Sequence, residues 1–118
     1  MNRYNLADDL GKQLLLIYLI NCYTHFITDS YRVCFDIVAS KLDGNSLFRL
    51  GIKLKLPDNV IDEIYNRNTN NYRKIYQILT SWRENAGQHA NINDIINILE
   101  GMQKKIIADE IIAKLDSL

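Results

Sequence analysis

The feature that most constrains the fold of this chain is the spacing of its apolar residues, which recur at intervals of three and four along almost the whole sequence. This spacing follows the α-helical period of about 3.6 residues, whereas a half-buried strand shows strict alternation. One proline and five glycines among 118 residues leave room only for short breaks. The sequence therefore predicts an all-α fold.

Seven amphipathic helices follow from these apolar stripes. The first spans about residues 6–26 and contains the run LLLIYLI, from Leu14 to Ile20. Side-chain oxygens at positions 28–30 are typical N-caps, so a second helix is expected from Tyr31, ending at an Asp-Gly turn at residues 43–44. Each remaining apolar stripe predicts a helix. The stripes span residues 47–54, 60–65, 72–82, 92–102 and 107–115, and the last consists of Ile107, Ile111, Ile112 and Leu115.

Single residues refine this outline. Gly51 lies within an apolar helix face, where glycine costs roughly 1 kcal/mol relative to alanine, and close contact with another helix would explain it. Pro57 suits a first helical position, and Asn91 suits an N-cap. The single tryptophan, Trp82, completes an apolar stripe and is predicted to lie in the core.

Composition limits the function classes. Fourteen basic and fourteen acidic side chains cancel, so no net field would draw the whole molecule to nucleic acid or to an anionic membrane. Cys22 and Cys34 are too few and too far apart for a disulfide scaffold, which favours a reducing compartment and a cytoplasmic location; we interpret both as core residues. The Leu14 to Ile20 run is much shorter than the roughly 20 apolar residues of a membrane span.

No arrangement of side chains indicates catalysis or metal binding. Cys22 and His25 have the spacing of two zinc ligands, but the sequence offers no second pair to complete the site. His89 belongs to a predicted loop with no catalytic motif around it. We therefore predict that the protein is not an enzyme and needs no cofactor.

A helix-turn-helix DNA-binding domain is the alternative function. Arg49, Lys53 and Lys55 belong to one short predicted helix that would suit a major groove. The following helix is acidic and would lie close to DNA phosphates, and the remaining basic residues do not concentrate on one element. This alternative is the weaker of the two.

Four segments between Phe35 and Leu115 form a pattern spread over six helices: FDIVASKL (35–42), LFRLGIKLKLPDNVIDEI (47–64), ILTSWREN (78–85) and ANINDIINILEGMQKKIIADEI (90–111). In this pattern the chain resembles the death domain family. Within that family it is most similar to the Fas-associated death domain adaptor (FADD) branch, because its last segment matches in apolar positions and in the triplet IAD. Richness in Asn, Ile, Lys and Tyr is typical of an AT-rich genome and suggests an invertebrate form.

The resemblance implies a six-helix antiparallel bundle with one additional N-terminal helix. It assigns residues 30–118 to the death domain and leaves residues 1–29 as the extra amphipathic helix, either the tail of a preceding death-effector domain or an added packing helix. Two positions depart from the family pattern. Leu47 replaces a common tryptophan, and Ile52 replaces a basic residue, which weakens the transfer of a Fas-like receptor as partner.

The function implied by the resemblance is that of a cytoplasmic adaptor without catalytic activity. It would bind another death domain, of a Fas-like receptor or an Imd-type adaptor, with no nucleic acid or membrane partner, and would assemble into higher-order homotypic oligomers. An initiator caspase would join indirectly, through a death-effector domain, in apoptosis or innate immunity. The candidate interface residues are Arg49, Lys53, Lys55, Asp58, Asp62, Glu63, Arg67, Arg73, Arg83, Lys104 and Lys105.

Overall fold

A computed structural model describes residues 3–117 of the chain, with side chains described for residues 13–20 and 29–117. All regular secondary structure within this part is helical, so the predicted all-α fold is confirmed. Short 3-10 helices at Gly44–Ser46 and Gly87–His89 connect some of the α-helices. The α-helices are α1 (Arg3–Lys41), α2 (Leu47–Lys53), α3 (Asp58–Arg67), α4 (Asn71–Ala86), α5 (Ile92–Gly101) and α6 (Lys105–Asp116).

Helix α1 corrects the expectation of two separate helices at the start of the chain. The predicted break at residues 28–30 does not occur, and α1 continues from Arg3 to Lys41. The sequence between Gly11 and Gly44 contains neither glycine nor proline, and Thr, Asp and Ser each cost less than about 1 kcal/mol inside a helix. Capping residues favour a helix start only where the chain can also end the preceding helix.

The chain divides into two compact units, Met1–Tyr31 and Arg32–Leu118. Helix α1 runs through the boundary, so no loop marks the predicted limit between residues 29 and 30. The second unit contains the last part of α1 together with α2 to α6.

The core of the second unit receives side chains from all six α-helices. Phe35 of α1 makes edge-to-face ring contacts with Tyr76 and Trp82 of α4, at centroid distances of 5.7 and 6.5 Å. Burial raises the pKa of the Cys34 thiol to about 12, which suits its predicted role as a small core residue. The largest fully buried side chains are Cys34, Val38, Leu47, Leu50, Ile61, Ile75, Ile78, Leu79, Ile95, Leu99 and Ile111.

Helices α2 and α3 approach closely at Gly51, as the sequence predicts. A Cβ atom at this position would lie 2.7 Å from Ile61 Cδ1. Glycine is thus required by the contact between the two helices rather than by its backbone dihedral angles.

Two asparagine caps define helix starts. Asn70 Oδ1 accepts a hydrogen bond from the Arg73 backbone N–H at 2.8 Å, and Asn91 Oδ1 accepts one from the Asn93 N–H at 2.9 Å. The cap at Asn91 is the predicted one. Pro57 occupies the position before α3 rather than its first turn.

In α6 the buried face differs from the predicted stripe. Ile107, Ala108 and Ile111 are buried, whereas Ile112, which was predicted to point inward, is 41% exposed. Apolar character alone defines the predicted stripe. Ile111 and Ile112 are adjacent on the helix, so they cannot both face the same core.

Candidate functional site

The predicted interface residues all lie in the part of the chain whose side chains are described. Most are exposed, and only Arg83 and Lys104 are half-buried. They are distributed over several elements rather than on one face: Arg49 and Lys53 on α2, Lys55 in the following turn, Asp58, Asp62, Glu63 and Arg67 on α3, Arg73 and Arg83 on α4, and Lys104 and Lys105 at the start of α6.

The exposed side of α2 combines charged and apolar residues. Arg49 and Lys53 lie one helical turn apart, and so do Phe48 and Ile52. Phe48 is 40% exposed and Ile52 is 56% exposed. The prediction from charge missed this apolar pair. An exposed aromatic residue is a typical anchor of a protein–protein contact.

Lys55 lies outside α2, in contrast to the prediction that placed it on the same helix as Arg49 and Lys53. Its φ of 64° is left-handed, which is the region that glycine prefers. The Leu56 N–H donates to the Gly51 carbonyl at 3.0 Å and the Lys55 N–H donates to the Ile52 carbonyl at 2.9 Å. These two bonds form a Schellman motif that ends α2 and holds Lys55 in the turn.

A second turn of the same kind ends α5. Gln103 has a φ of 63°, and the Lys104 N–H donates to the Leu99 carbonyl at 2.8 Å. Lys104 and Lys105 follow directly. Within residues 3–117, the two left-handed residues other than glycine thus lie at, or next to, predicted interface lysines.

The acidic residues of α3 fall on two different flanks. Asp58 and Asp62 are one turn apart on one flank, whereas Glu63 is turned about 100° further around the helix. Glu63 and Arg67 form an ion pair with each other and line a shallow cleft against α4. The structure therefore does not combine Asp58, Asp62 and Glu63 into one acidic patch.

Lys104 is engaged inside the domain. Its Nζ lies 3.0 Å from Asp43 Oδ1, and the same carboxylate oxygen accepts a hydrogen bond from Ser46 Oγ at 2.8 Å. The hydrogen bond from Ser46, followed by that from Lys104, holds the pKa of the Asp43 carboxyl below its usual value. This pair joins the turn after α1 to the turn before α6.

Several of the predicted interface residues have charged side chains without a described hydrogen-bond or ion-pair partner. They make no hydrogen bond or ion pair with any other residue whose side chain is described, so a partner can contact them without first breaking an internal bond. These residues are Arg49, Lys53, Lys55, Asp58, Asp62, Arg73 and Lys105.

Arg73 borders a shallow groove along α4. Tyr72 and Tyr76 line this groove and stack with ring centroids 5.9 Å apart. The Tyr72 hydroxyl donates to Asp36 Oδ1 of α1 at 2.6 Å, and this hydrogen bond is the main cause that raises the pKa of Tyr72 to about 12. The groove thus has an aromatic wall fixed by a contact between α4 and α1.

A second shallow groove runs beside the turn that holds Lys55. Lys53 and Lys55 line it together with the edge of Trp82, and His89 and Asp94 lie along it. The two lysines make one end of this groove basic. Open grooves of this kind accept a protein surface more readily than an enclosed small molecule.

Among the described side chains, no three His, Cys, Asp or Glu residues lie close enough together to hold a metal ion. The side chains of Cys22 and His25, the two potential zinc ligands, lie outside the described residues. His89 is exposed in the 3-10 helix that follows α4. Of the helices described, none is both long and apolar enough to cross a membrane.

Comparison with known families identifies one match. The family model of the Death domain matches residues 32–115, which begin in the last part of α1 and include α2 to α5 and most of α6. No curated protein shows significant similarity to the chain. The matched residues contain every one of the exposed, unengaged charges described above.

Proposed function

Because this chain belongs to the death domain family, whose members are interaction modules without enzymatic activity, we propose that it is an adaptor that docks onto another death domain through α2 and α3. The observation that carries the proposal is the set of exposed charges on these helices that make no hydrogen bond or ion pair with another described side chain. The helices already fix the backbone that carries these charges, so docking has to order only the side chains.

The α2–α3 surface has the composition of a specific contact. Arg49 and Lys53 supply positive charge, and Asp58 and Asp62 supply negative charge on the next helix. Surfaces that carry both signs suit heterologous, head-to-tail contacts, which extend into oligomers when they do not close.

Charge alone is insufficient for this docking. An exposed ion pair contributes only about 0.2 to 1 kcal/mol. We therefore assign the anchoring role to the apolar pair Phe48 and Ile52, which is exposed beside the basic residues. A partner that covers this pair gains stabilisation that salt does not screen, while the charges select its orientation.

The finer proposal is a FADD-like adaptor that acts in the cytoplasm. It would link a Fas-like receptor or an Imd-type adaptor to an initiator caspase in apoptosis or innate immunity, with the caspase joined through a death-effector domain. The support is the resemblance of the segment from Ala90 to Ile111 to the FADD branch. Ile52 in place of a basic residue favours the Imd-type adaptor over the receptor.

Charge reversal on one flank of α3 tests the docking proposal. The probe is a panel of purified death domains from the same proteome, titrated by fluorescence anisotropy against the labelled full chain. Asp58→Lys/Asp62→Lys should weaken binding to the cognate domain at least tenfold. The matched control Glu84→Lys/Glu110→Lys makes the same charge change at exposed positions outside the predicted interface and should bind like the wild type.

Equal binding by both double variants would refute the acidic flank as a docking surface. Lack of binding to every domain of the panel, combined with steeply salt-dependent binding to duplex DNA, would instead support the helix-turn-helix alternative. Far-ultraviolet circular dichroism of each variant establishes that its helices are intact.

Lys55→Gly separates binding from folding. Glycine accepts the left-handed φ of this position without strain. The free energy of unfolding of the variant should therefore equal that of the wild type or exceed it by up to about 1 kcal/mol. Lys55→Gly also removes the exposed positive charge of Lys55, so binding to the partner death domain should weaken. Weakened binding together with unchanged or higher stability assigns Lys55 to the interface, and unchanged binding removes Lys55 from it.

A further inference from the structure

A run of exposed apolar side chains lies on the first unit of the chain. Leu14, Leu15, Leu16, Ile17, Tyr18, Leu19 and Ile20 of α1 all have more than half of their surface exposed, from 52% for Leu19 to 67% for Leu14. These exposed fractions amount to roughly 700 Å² of mostly apolar surface, comparable with the largest apolar patch of a typical monomer, which is about 300 to 600 Å².

This surface surrounds the helix. Successive residues of an α-helix are about 100° apart, so the seven apolar positions from Leu14 to Ile20 occupy every side. A helix on the surface of a globular domain needs only one apolar stripe, whereas a helix that is apolar all round is normally buried. The run from Leu14 to Ile20 is therefore suited to contact from more than one direction.

The same run contains no charged residue. A partner surface therefore cannot be selected by opposite charge, and the surface that matches an uncharged apolar helix best is another uncharged apolar helix. Two copies of one chain supply such a pair. An uncharged apolar surface can pack against its own copy, whereas a surface with charges of one sign repels its copy.

We propose that copies of this chain associate through residues 14–20 of α1, side by side in a small bundle of helices. The available area supports a second copy as the occupant. A stable interface buries about 800 Å² on each partner, which is close to the apolar surface that this segment presents. The formal net charge of the chain is zero, so the copies have no overall repulsion to overcome.

A lipid surface suits this segment less well. Helices that lie in the membrane interface have a charged or polar face opposite the apolar one, and the residues from Leu14 to Ile20 have none. No described helix meets the length and hydropathy of a membrane span. A preceding death-effector domain and an apolar groove of a different protein are the other occupants, and with either of them the purified chain would stay monomeric in the experiment below.

Self-association through α1 would act on docking by raising local concentration. Because α1 is continuous from Arg3 to Lys41, each associated copy carries its death domain with it. Linked domains bind as a set with an effective concentration set by the linkage, so weak single contacts gain avidity. The association itself does not depend on the proposed docking of α2 and α3.

Sedimentation velocity of the full chain over low to high micromolar concentration is the first test. The wild type should form a discrete oligomer, and Leu14→Gln/Ile17→Gln should shift its dissociation constant upward at least tenfold. Glutamine is chosen because it retains helix propensity. The matched control is Ile106→Gln on α6, an isoleucine that is 78% exposed outside the segment, and it should associate like the wild type.

Cross-linking keeps the proposal testable if the double variant loses helicity. A photoreactive phenylalanine analogue replaces Tyr18 in otherwise wild-type chains, mixed from light and isotope-labelled preparations. Mass spectrometry should find light-to-heavy cross-links between peptides that contain residues 14–20.

Two results would overturn the proposal. One is a wild type that stays monomeric at every concentration, and the other is cross-linking from Tyr18 only within its own chain. Because Asp58→Lys/Asp62→Lys leaves α1 unchanged, that variant should retain the α1 cross-links even when docking is lost. The two proposals can therefore fail separately.

Discussion

Two stretches of α1, residues 13–20 towards its start and residues 34–40 towards its end, have the same backbone conformation and opposite surroundings. Near its start, residues 13–20 are all exposed although seven of these eight positions are apolar. Near its end, Cys34, Phe35, Val38 and Ala39 are buried while Asp36 and Ser40 are exposed. The end has one apolar stripe, which a single core can cover, whereas the start has apolar residues on every side. The helix thus continues through both surroundings, but burial requires a matching surface.

The largest expected effect is a loss of stability on truncating a buried ring at the end of α1. Phe35→Ala removes contacts with Tyr76 and Trp82 and should lower the free energy of unfolding by about 3 to 5 kcal/mol. Leu16→Ala, in the exposed run, should change it by less than about 0.5 kcal/mol. Urea denaturation followed by circular dichroism, at concentrations low enough to keep the chain monomeric, measures both. Comparable losses for the two variants would mean that Leu16 is packed within the monomer.

A smaller change in stability is expected at two glycines, one of which is in close contact with another helix while the other faces open space. Gly51→Ala places a methyl group against Ile61 and should destabilise the domain by about 1 to 3 kcal/mol. Gly101→Ala, at the end of α5, meets no atom within 4 Å and should stabilise it by about 0.5 kcal/mol. Thermal unfolding of both variants gives the comparison. A neutral Gly51→Ala would show that α2 can move away from α3 at little cost.

The smallest expected effect concerns the hydrogen bond that joins α4 to the end of α1. Tyr72→Phe removes the bond to Asp36 and should cost about 1 kcal/mol at neutral pH, because Tyr72 is 40% exposed. Tyr18→Phe, in the exposed run, is the matched control and should leave stability unchanged. Chemical denaturation at neutral pH measures both variants.

The pH dependence adds a second check on Tyr72. The pKa of Tyr72 is raised to about 12 in the folded protein, against about 10 in an unfolded chain. The folded state thus retains a proton that the unfolded state releases. The contribution of Tyr72 is complete below about pH 10 and is lost as the pH rises towards 12. The wild type should therefore lose more of its free energy of unfolding than Tyr72→Phe as the pH rises from about 10 to 12. Equal losses in the two proteins would contradict the raised pKa of Tyr72.

The exposure of most candidate interface residues could be predicted from the sequence, because charged residues on short helices are seldom buried. The helical period alone also separates Asp62 from Glu63, since adjacent residues point about 100° apart. Phe48 was missed because an apolar residue next to a stripe looks like core. The engagement of Lys104 by Asp43 could not be predicted, because the two residues are far apart in the chain and no local pattern relates them.

The sequence by itself determined the all-α fold, the approximate positions of α2 to α6 and the close approach at Gly51, because propensity and apolar spacing act over a few residues. Only the tertiary structure decided which charges are engaged inside the domain and which apolar faces are covered. These properties depend on whether a partner exists elsewhere in the chain. Such a partner is fixed by packing, which joins residues that the sequence keeps apart.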